Sequence, residues 1–271
     1  MNYLYPIVAG IIQGITEWLP VSSKTQILLV SSLIFGFPIS VSYVYGLFME
    51  IGSITSATTY FRKDVVNVFR DKKLFYILLL ITLFTGLVGG PLYYITSKLL
   101  LSNSYPLWLP MLILGLVLIS EGIYIYYSRK KGRNFVLIDD ISKINNRQII
   151  LIGIMQGLSA LPGVSRSGVT ISTMLLMGIK PDIAFKLSYL AYIPAAIGAF
   201  AATLLLDREE IMYVSRSIEL SGIILAIIVA IIISFITIRL LLDFAKRNDI
   251  YLVTIIVGII AILSSLVIIF F

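Results

Sequence analysis

The chain contains no cysteine and no histidine in 271 residues. Without thiols there are no disulfides and no thiolate nucleophile, and the redox compartment leaves no mark. Without imidazole there is no histidine general base, no phosphohistidine intermediate and no histidine-held metal. Charge is scarce too, at 13% of residues against 59% hydrophobic, with mean hydropathy +1.00. No soluble domain needs that much apolar surface, so composition predicts an all-α polytopic membrane protein. The apolar runs are long and do not alternate, which excludes a strand barrel. No separable signal peptide is expected, because the first apolar stretch already carries Gln13 and Glu17.

Six stretches are long enough to cross a bilayer: about 41–60, 74–97, 107–127, 183–206, 220–243 and 250–271. Two more, 3–37 and 149–180, are apolar but broken by Pro, Ser and Gly. Each half of these is too short to cross alone, which predicts re-entrant helical hairpins with tips buried in protein.

Basic residues set the orientation. Arg62, Lys63, Arg70, Lys72 and Lys73 lie in one connection; Arg129, Lys130, Lys131, Arg133, Lys143 and Arg147 in another; Lys246 and Arg247 in the last. Those 13 of the 21 Lys and Arg are expected on the cytoplasmic side, while the opposite loops carry only Lys98, Arg208 and Arg216. The net charge of +7 is therefore a topology signal, and no nucleic-acid partner is expected.

With that constraint the first hairpin enters from outside and the second from the cytoplasm. The 271 residues form one membrane domain of two inverted repeats, each a hairpin plus three spans, over 1–127 and 149–271. The sequence carries the duplication: Gly10-Ile11-Ile12-Gln13-Gly14-Ile15-Thr16 matches Gly153-Ile154-Met155-Gln156-Gly157-Leu158-Ser159. Inverted repeats with broken helices place a polar site near the midplane, where the tips meet.

The polar residues cluster at the two tips. On a helix Gln13 and Glu17, four apart, share a face. Glu17 is read either as a metal ligand or proton-transfer group, or as the ion-pair partner of Lys24 or Arg166 with Gln13 joining helices. Pro20 halts the half-helix. Ser22, Ser23 and Lys24 follow with hydroxyls, amides and a cation, as an anion site or, for either serine, as a helix cap. The second tip has Pro162-Gly163 as a turn, then Ser165, Arg166, Ser167, Gly168 and Thr170. An arginine costs at least a few kcal/mol inside hydrocarbon. Its own loop offers no carboxylate, so Arg166 points to an anionic ligand held in a fork, with backbone amides beside it; a structural pairing with Glu17 is the other reading. Glu50 falls mid-span and marks a site or a proton relay. Glu121 lies nearer a span end and is read as structural. Tyr43, Tyr45, Tyr93, Tyr94, Tyr124, Tyr126 and Tyr127 are read as interfacial anchors.

Gln13-x-x-x-Glu17 followed by Leu-Pro-Val-Ser-Ser, with Pro162-Gly163-x-Ser165-Arg166-Ser167-Gly168-x-Thr170 downstream, resembles the undecaprenyl-diphosphatase family of the bacitracin-resistance type. The likeness covers nearly the whole chain, including Gly52-Ser53 and Ile193-Pro194-Ala195. It implies an enzyme that removes the terminal phosphate of a polyprenyl diphosphate, recycling the carrier lipid for cell-wall glycans. It also implies a divalent cation, Mg²⁺ or Ca²⁺, and a plasma-membrane site open to the extracytoplasmic face, with a homodimer allowed. Carried over by position, Glu17 is the key acid; Ser23 is the nucleophile or a phosphate ligand; and Arg166 is the diphosphate clamp. Glu17 and Glu50 are the expected metal ligands, Glu50 from its own mid-span place rather than by carry-over. Gln13, Ser22, Lys24, Gln26, Ser165, Ser167, Gly168 and Thr170 complete the substrate site.

The sequence departs from the family pattern at three places. Gln13 stands where Glu is common, Lys24-Thr25-Gln26 where Thr-Gly-His is usual, and Glu50 where Gln is more frequent. Either a carboxylate has migrated, with Glu50 and Lys24 compensating, or the catalytic cycle differs, or activity is reduced; the first is the expectation. A polyprenyl-phosphate transporter or flippase is the alternative, since inverted repeats are also transporter architecture. Histidine-dependent lipid phosphatases are excluded, and a binding protein without activity is a further reading.

Overall fold

The computed structural model describes residues 3–101, 106, 108–131, 138–206, 208–245 and 249–270. Arg133, Lys246 and Arg247 from the charge argument lie outside the described residues, as does the Arg216 side chain. Eleven α-helices run through the described chain: α1 (Leu4–Thr16), α2 (Ser23–Leu33), α3 (Ile39–Tyr60), α4 (Arg62–Arg70), α5 (Lys72–Leu101), α6 (Trp108–Lys131), α7 (Asn146–Gly157), α8 (Arg166–Leu176), α9 (Pro181–Leu206), α10 (Arg208–Ala245) and α11 (Ile250–Phe270). Extended pairing among the described residues is one isolated bridge, Ile138 with Ile179.

Among the described residues, five stretches are long and apolar enough to cross a membrane: Lys72–Lys98, Trp108–Lys131, Pro181–Leu206, Ile218–Leu240 and Ile250–Ile269. The fourth begins where α10 bends, at Glu219 with φ 59 and ψ 150. With 22 residues, α3 has the length of a span, but it buries Ser42, Glu50, Ser53 and Ser56, which lower its hydropathy. The pairs α1–α2 and α7–α8 are short. Helices of 11 to 13 residues reach about 17–20 Å, well under a hydrocarbon layer of about 30 Å.

Glycines decide how the short pairs dock. A Cβ on Gly10 would meet Val229 at 2.8 Å, and one on Gly14 would meet Ile233 at 2.7 Å, so α1 lies tight on α10. A Cβ on Gly153 would meet Phe84 at 2.7 Å, and one on Gly157 would meet Val88 at 2.7 Å, so α7 lies just as tight on α5. Each short pair thus packs on a long helix from the other half of the chain. α6 and α11 pack on each other, as do α3 and α9.

The tips lie in the interior, where each exposed backbone group needs a partner. Around the first tip, Tyr189 Oη donates to the Trp18 carbonyl (3.1 Å), Ser167 Oγ to Leu19 (3.4 Å) and Thr254 Oγ1 to Pro20 (2.6 Å). Trp18 itself is fully buried, against the Tyr189 ring at 5.6 Å.

The tyrosine reading needs correction. Tyr43, Tyr45 and Tyr93 are buried in the core rather than placed at an interface, while Tyr94, Tyr126 and Tyr127 are exposed as expected. Position along a span sets depth in the bilayer, but only packing tells which face turns inward.

Candidate active site

The two tips touch. Glu17, at the end of α1, accepts from Arg166 Nη2 on Oε1 at 2.6 Å, and both side chains are about nine-tenths buried. Its other oxygen, Oε2, accepts from Gln13 Nε2 at 2.9 Å and from Ser23 Oγ at 2.6 Å. The i, i+4 spacing read from the sequence therefore operates, and the serine hydroxyl points its proton at a carboxylate. Gln13 also donates to Ser53 Oγ at 2.9 Å, which ties the first tip to α3. Gln13 Oε1 and Arg166 Nη1 are buried without a hydrogen-bond partner. The Arg166 guanidinium lies over the Tyr192 ring, 3.8 Å from its centroid, so a cation–π contact supports it from α9.

A second ion pair lies in the same space: Lys24 Nζ to Glu50 Oε1 at 2.9 Å. Glu17, Lys24, Glu50 and Arg166 all line a cavity of about 240 Å³, with Ser22, Ser23, Ser165 and Ser167. Among the described residues these are its charged lining groups, two acids against two bases. Away from the tips the cavity runs between α5 and α9 along Gly86, Gly90, Gly198, Ala199 and Ala202. A Cβ added at Gly86, Gly90 or Gly198 would meet nothing within 4 Å, so this end is open and apolar.

Three residues expected in the substrate site stand behind the cavity wall instead. Gln26 Nε2 donates to the Val21 carbonyl (2.9 Å), closing the first tip on itself. Thr170 Oγ1 is shared with Ser188 Oγ (2.6 Å) and donates to the Arg166 carbonyl (2.8 Å). Gly168 faces α6, where a Cβ would overlap Glu121. Gln13 reaches the cavity only through Glu17. The amides of the second tip are largely spoken for as well. Ser165 Oγ accepts from the Gly168 N–H (3.3 Å) as the N-cap of α8, Thr25 Oγ1 accepts from Gly163 N–H (3.0 Å), and Glu121 accepts from Ser165 N–H (3.0 Å). The donor this tip leaves available is the guanidinium more than the backbone.

Ser53, Thr25, Tyr192 and Glu121 escaped the sequence reading as site residues. Ser53 had a signal, since it follows Glu50 by three on a helix and shares its face. Thr25 and Tyr192 had none, because their partners are more than a hundred residues away or on another helix.

The chain has clear relatives. The profile of the bacitracin resistance protein BacA matches residues 6–263. The undecaprenyl-diphosphatase of Sulfurisphaera tokodaii is 56% identical over 265 residues, 98% of each chain. That of Saccharolobus solfataricus is 45% identical over 277 residues, covering 98% of this chain and 97% of its own. That of Pyrobaculum islandicum is 34% identical over 273 residues, with the same coverage. A match of this extent leaves one reading of descent: the chain belongs to the bacitracin resistance protein BacA family.

Proposed function

We propose that the chain is an integral-membrane phosphatase that hydrolyses a polyprenyl diphosphate of the undecaprenyl type to the monophosphate and inorganic phosphate. The observation that carries this is the hydrogen-bonded row Arg166–Glu17–Ser23 at the polar end of a cavity whose other end is open and apolar. A headgroup and a prenyl tail need those two ends. The names of the relatives point the same way.

The chemistry follows from the contacts. Arg166 has one nitrogen on Glu17 and one without a partner, so an arriving diphosphate takes the free nitrogen first and then the other, as a fork. Lys24 adds a second cation from the first tip. Together they stabilise charge growing on the phosphoryl and bridging oxygens, which in phosphoryl transfer supplies most of the catalysis. Glu17 is released as Arg166 turns to phosphate and accepts the proton of Ser23, or of a water held at that position. The oxygen bonds to the distal phosphorus while the bridging P–O bond breaks, and polyprenyl monophosphate leaves. If Ser23 is the attacking group, water then cleaves the phosphoserine.

A divalent cation of the hard, oxygen-liking kind fits these donors. Such ions are often held by one or two carboxylates plus substrate phosphates, and Glu17 and Glu50 offer the carboxylates in the cavity wall. When bound, it would supply further charge neutralisation at the phosphoryl oxygens. No larger cluster of His, Cys, Asp or Glu exists among the described residues, which suits an ion completed by substrate.

The same reading has the protein in the plasma membrane as two inverted repeats, 1–127 and 149–271. α1–α2 and α7–α8 are re-entrant hairpins, α3 is the sixth span and the site opens to the extracytoplasmic side. Support comes from the exchanged docking, Gly10 and Gly14 on α10 against Gly153 and Gly157 on α5. Lys24 with Glu50 fits the expected compensation for the departures at 24–26 and 50.

The test is phosphate release by the purified protein in detergent, from C55 and shorter polyprenyl diphosphates, with and without a chelator. Release that the chelator abolishes is expected. Lipid movement across proteoliposomes without any phosphate release would replace this reading with transport.

A further inference from the structure

Glu121 takes no part in the reaction proposed above. Only 5% of it is exposed, and both its oxygens accept from the Ser165 backbone N–H, at 3.1 Å for Oε1 and 3.0 Å for Oε2. None of the ion pairs among the described residues includes it. A buried carboxylate without a cation is expensive, and an apolar residue of similar volume would pack α6 at lower cost. Its surroundings show what the charge is placed against. Ser165 caps α8, whose first residue is Arg166, and the positive end of a helix favours a carboxylate there. Two residues further on, Gly168 rests directly on the carboxylate, where any Cβ would overlap Oε1. Glu121 therefore holds the first turn of α8 at two points, an amide and a bare Cα, and so fixes the height and rotation of the turn that carries Arg166.

We infer that Glu121 is a positioning residue that sets the Arg166 guanidinium for the diphosphate. This rests on the phosphatase reading. α6 carries Glu121 at the base of the second tip, on the side of α8 away from the cavity. The Arg166 side chain leaves the same turn toward Glu17 and the Tyr192 ring. A shift of about 1 Å in a positioning group can cost on the order of a hundredfold in rate, so the anchor acts through geometry without touching substrate.

The experiment measures phosphate release in detergent for Glu121→Gln, Gly168→Ala and the double variant Glu121→Asp with Gly168→Ala, and for Glu121→Gln combined with Arg166→Lys. Glu121→Gln is expected to lower kcat/KM about 10- to 100-fold, and to cost less than about twofold more once Arg166→Lys is present, because the two act as one unit. Gly168→Ala should lose activity similarly. Aspartate draws the carboxylate back by one methylene and should restore part of it in the double variant. Wild-type turnover by Glu121→Gln, or the same fold-loss in the Arg166→Lys background, would overturn the inference. If Glu121→Gln does not fold, the Gly168→Ala series decides, and no recovery on adding Glu121→Asp overturns it. A wild-type protein that releases no phosphate would instead remove the phosphatase reading, and with it any role in positioning for that reaction.

Discussion

The two tips share a plan and differ in backbone and in cargo. Each turns through a residue with positive φ: Ser22 at 55° in the first tip and Gly163 at 92° in the second. Serine in that region stores on the order of 1–3 kcal/mol, whereas glycine adopts it freely. The strained tip carries Glu17, Ser23 and Lys24 into the cavity; the relaxed one carries Arg166 alone as a charge. The strain is held from outside, since Ser22 Oγ bonds Thr25 Oγ1 and Thr25 Oγ1 receives the Gly163 N–H. The two glutamines at matching places in the tip motifs, Gln13 and Gln156, also differ in their partners. Gln13 Nε2 orients Glu17, while Gln156 Nε2 serves Thr85 Oγ1 (3.2 Å) and the Ala191 carbonyl (3.3 Å). In the proposed mechanism the first tip is the reacting side and the second the grip.

Variants can break that division of labour. The largest effect is expected at the reacting side: Glu17→Gln should lower kcat by about a thousandfold or more, the range for a lost proton acceptor. Arg166→Ala should lower kcat/KM by about 100- to 1,000-fold, as for a lost anion-stabilising donor. Near-normal phosphate release from both would dissolve the distinction and the mechanism together. The wall between the tips comes next. Glu50→Gln alone leaves Lys24 unpaired and should destabilise by about 3 kcal/mol. Glu50→Gln with Lys24→Met should recover much of that in a detergent melt without recovering turnover. An equal melt for single and double variants would show the pair to be solvated. The smallest effect sharpens the backbone contrast. Gly163→Ser should cost about 1–2 kcal/mol from the positive φ, added to the push of its Cβ on Val117 at 2.9 Å. Ser22→Gly should change stability by less than about 1 kcal/mol, since relief of strain offsets the lost hydroxyl bond. Equal losses would mean that the first tip is not strained in the protein.

Much of the fold could be read in the sequence because lipid makes hydrophobic length informative. The broken stretches at 3–37 and 149–180 became two pairs of short helices, α1–α2 and α7–α8, since Pro20 and Pro162-Gly163 cannot continue a helix. The Glu17–Arg166 contact was legible too, from the cost of isolated charges in an apolar chain. Direction was harder to read. Gln26 and Thr170 belong to the right motifs, yet their side chains serve the tips from behind, a choice made by neighbours such as Ser188 on α9. Aromatic residues near span ends are usually interfacial, whereas Tyr43 and Tyr93 close one side of the cavity.

The sequence by itself determined that this chain is helical and membrane-bound, where its helices break, and that a few polar side chains would have to find one another. Periodicity, length and transfer cost are local properties and can be summed along a chain. Only the tertiary structure decided the pairings: Lys24 with Glu50 rather than with Glu17, and the partner of the structural Glu121, the Ser165 amide of the second tip. Those depend on which helices glycines allow to come close, and a close approach between residues on different helices leaves no trace in either segment alone.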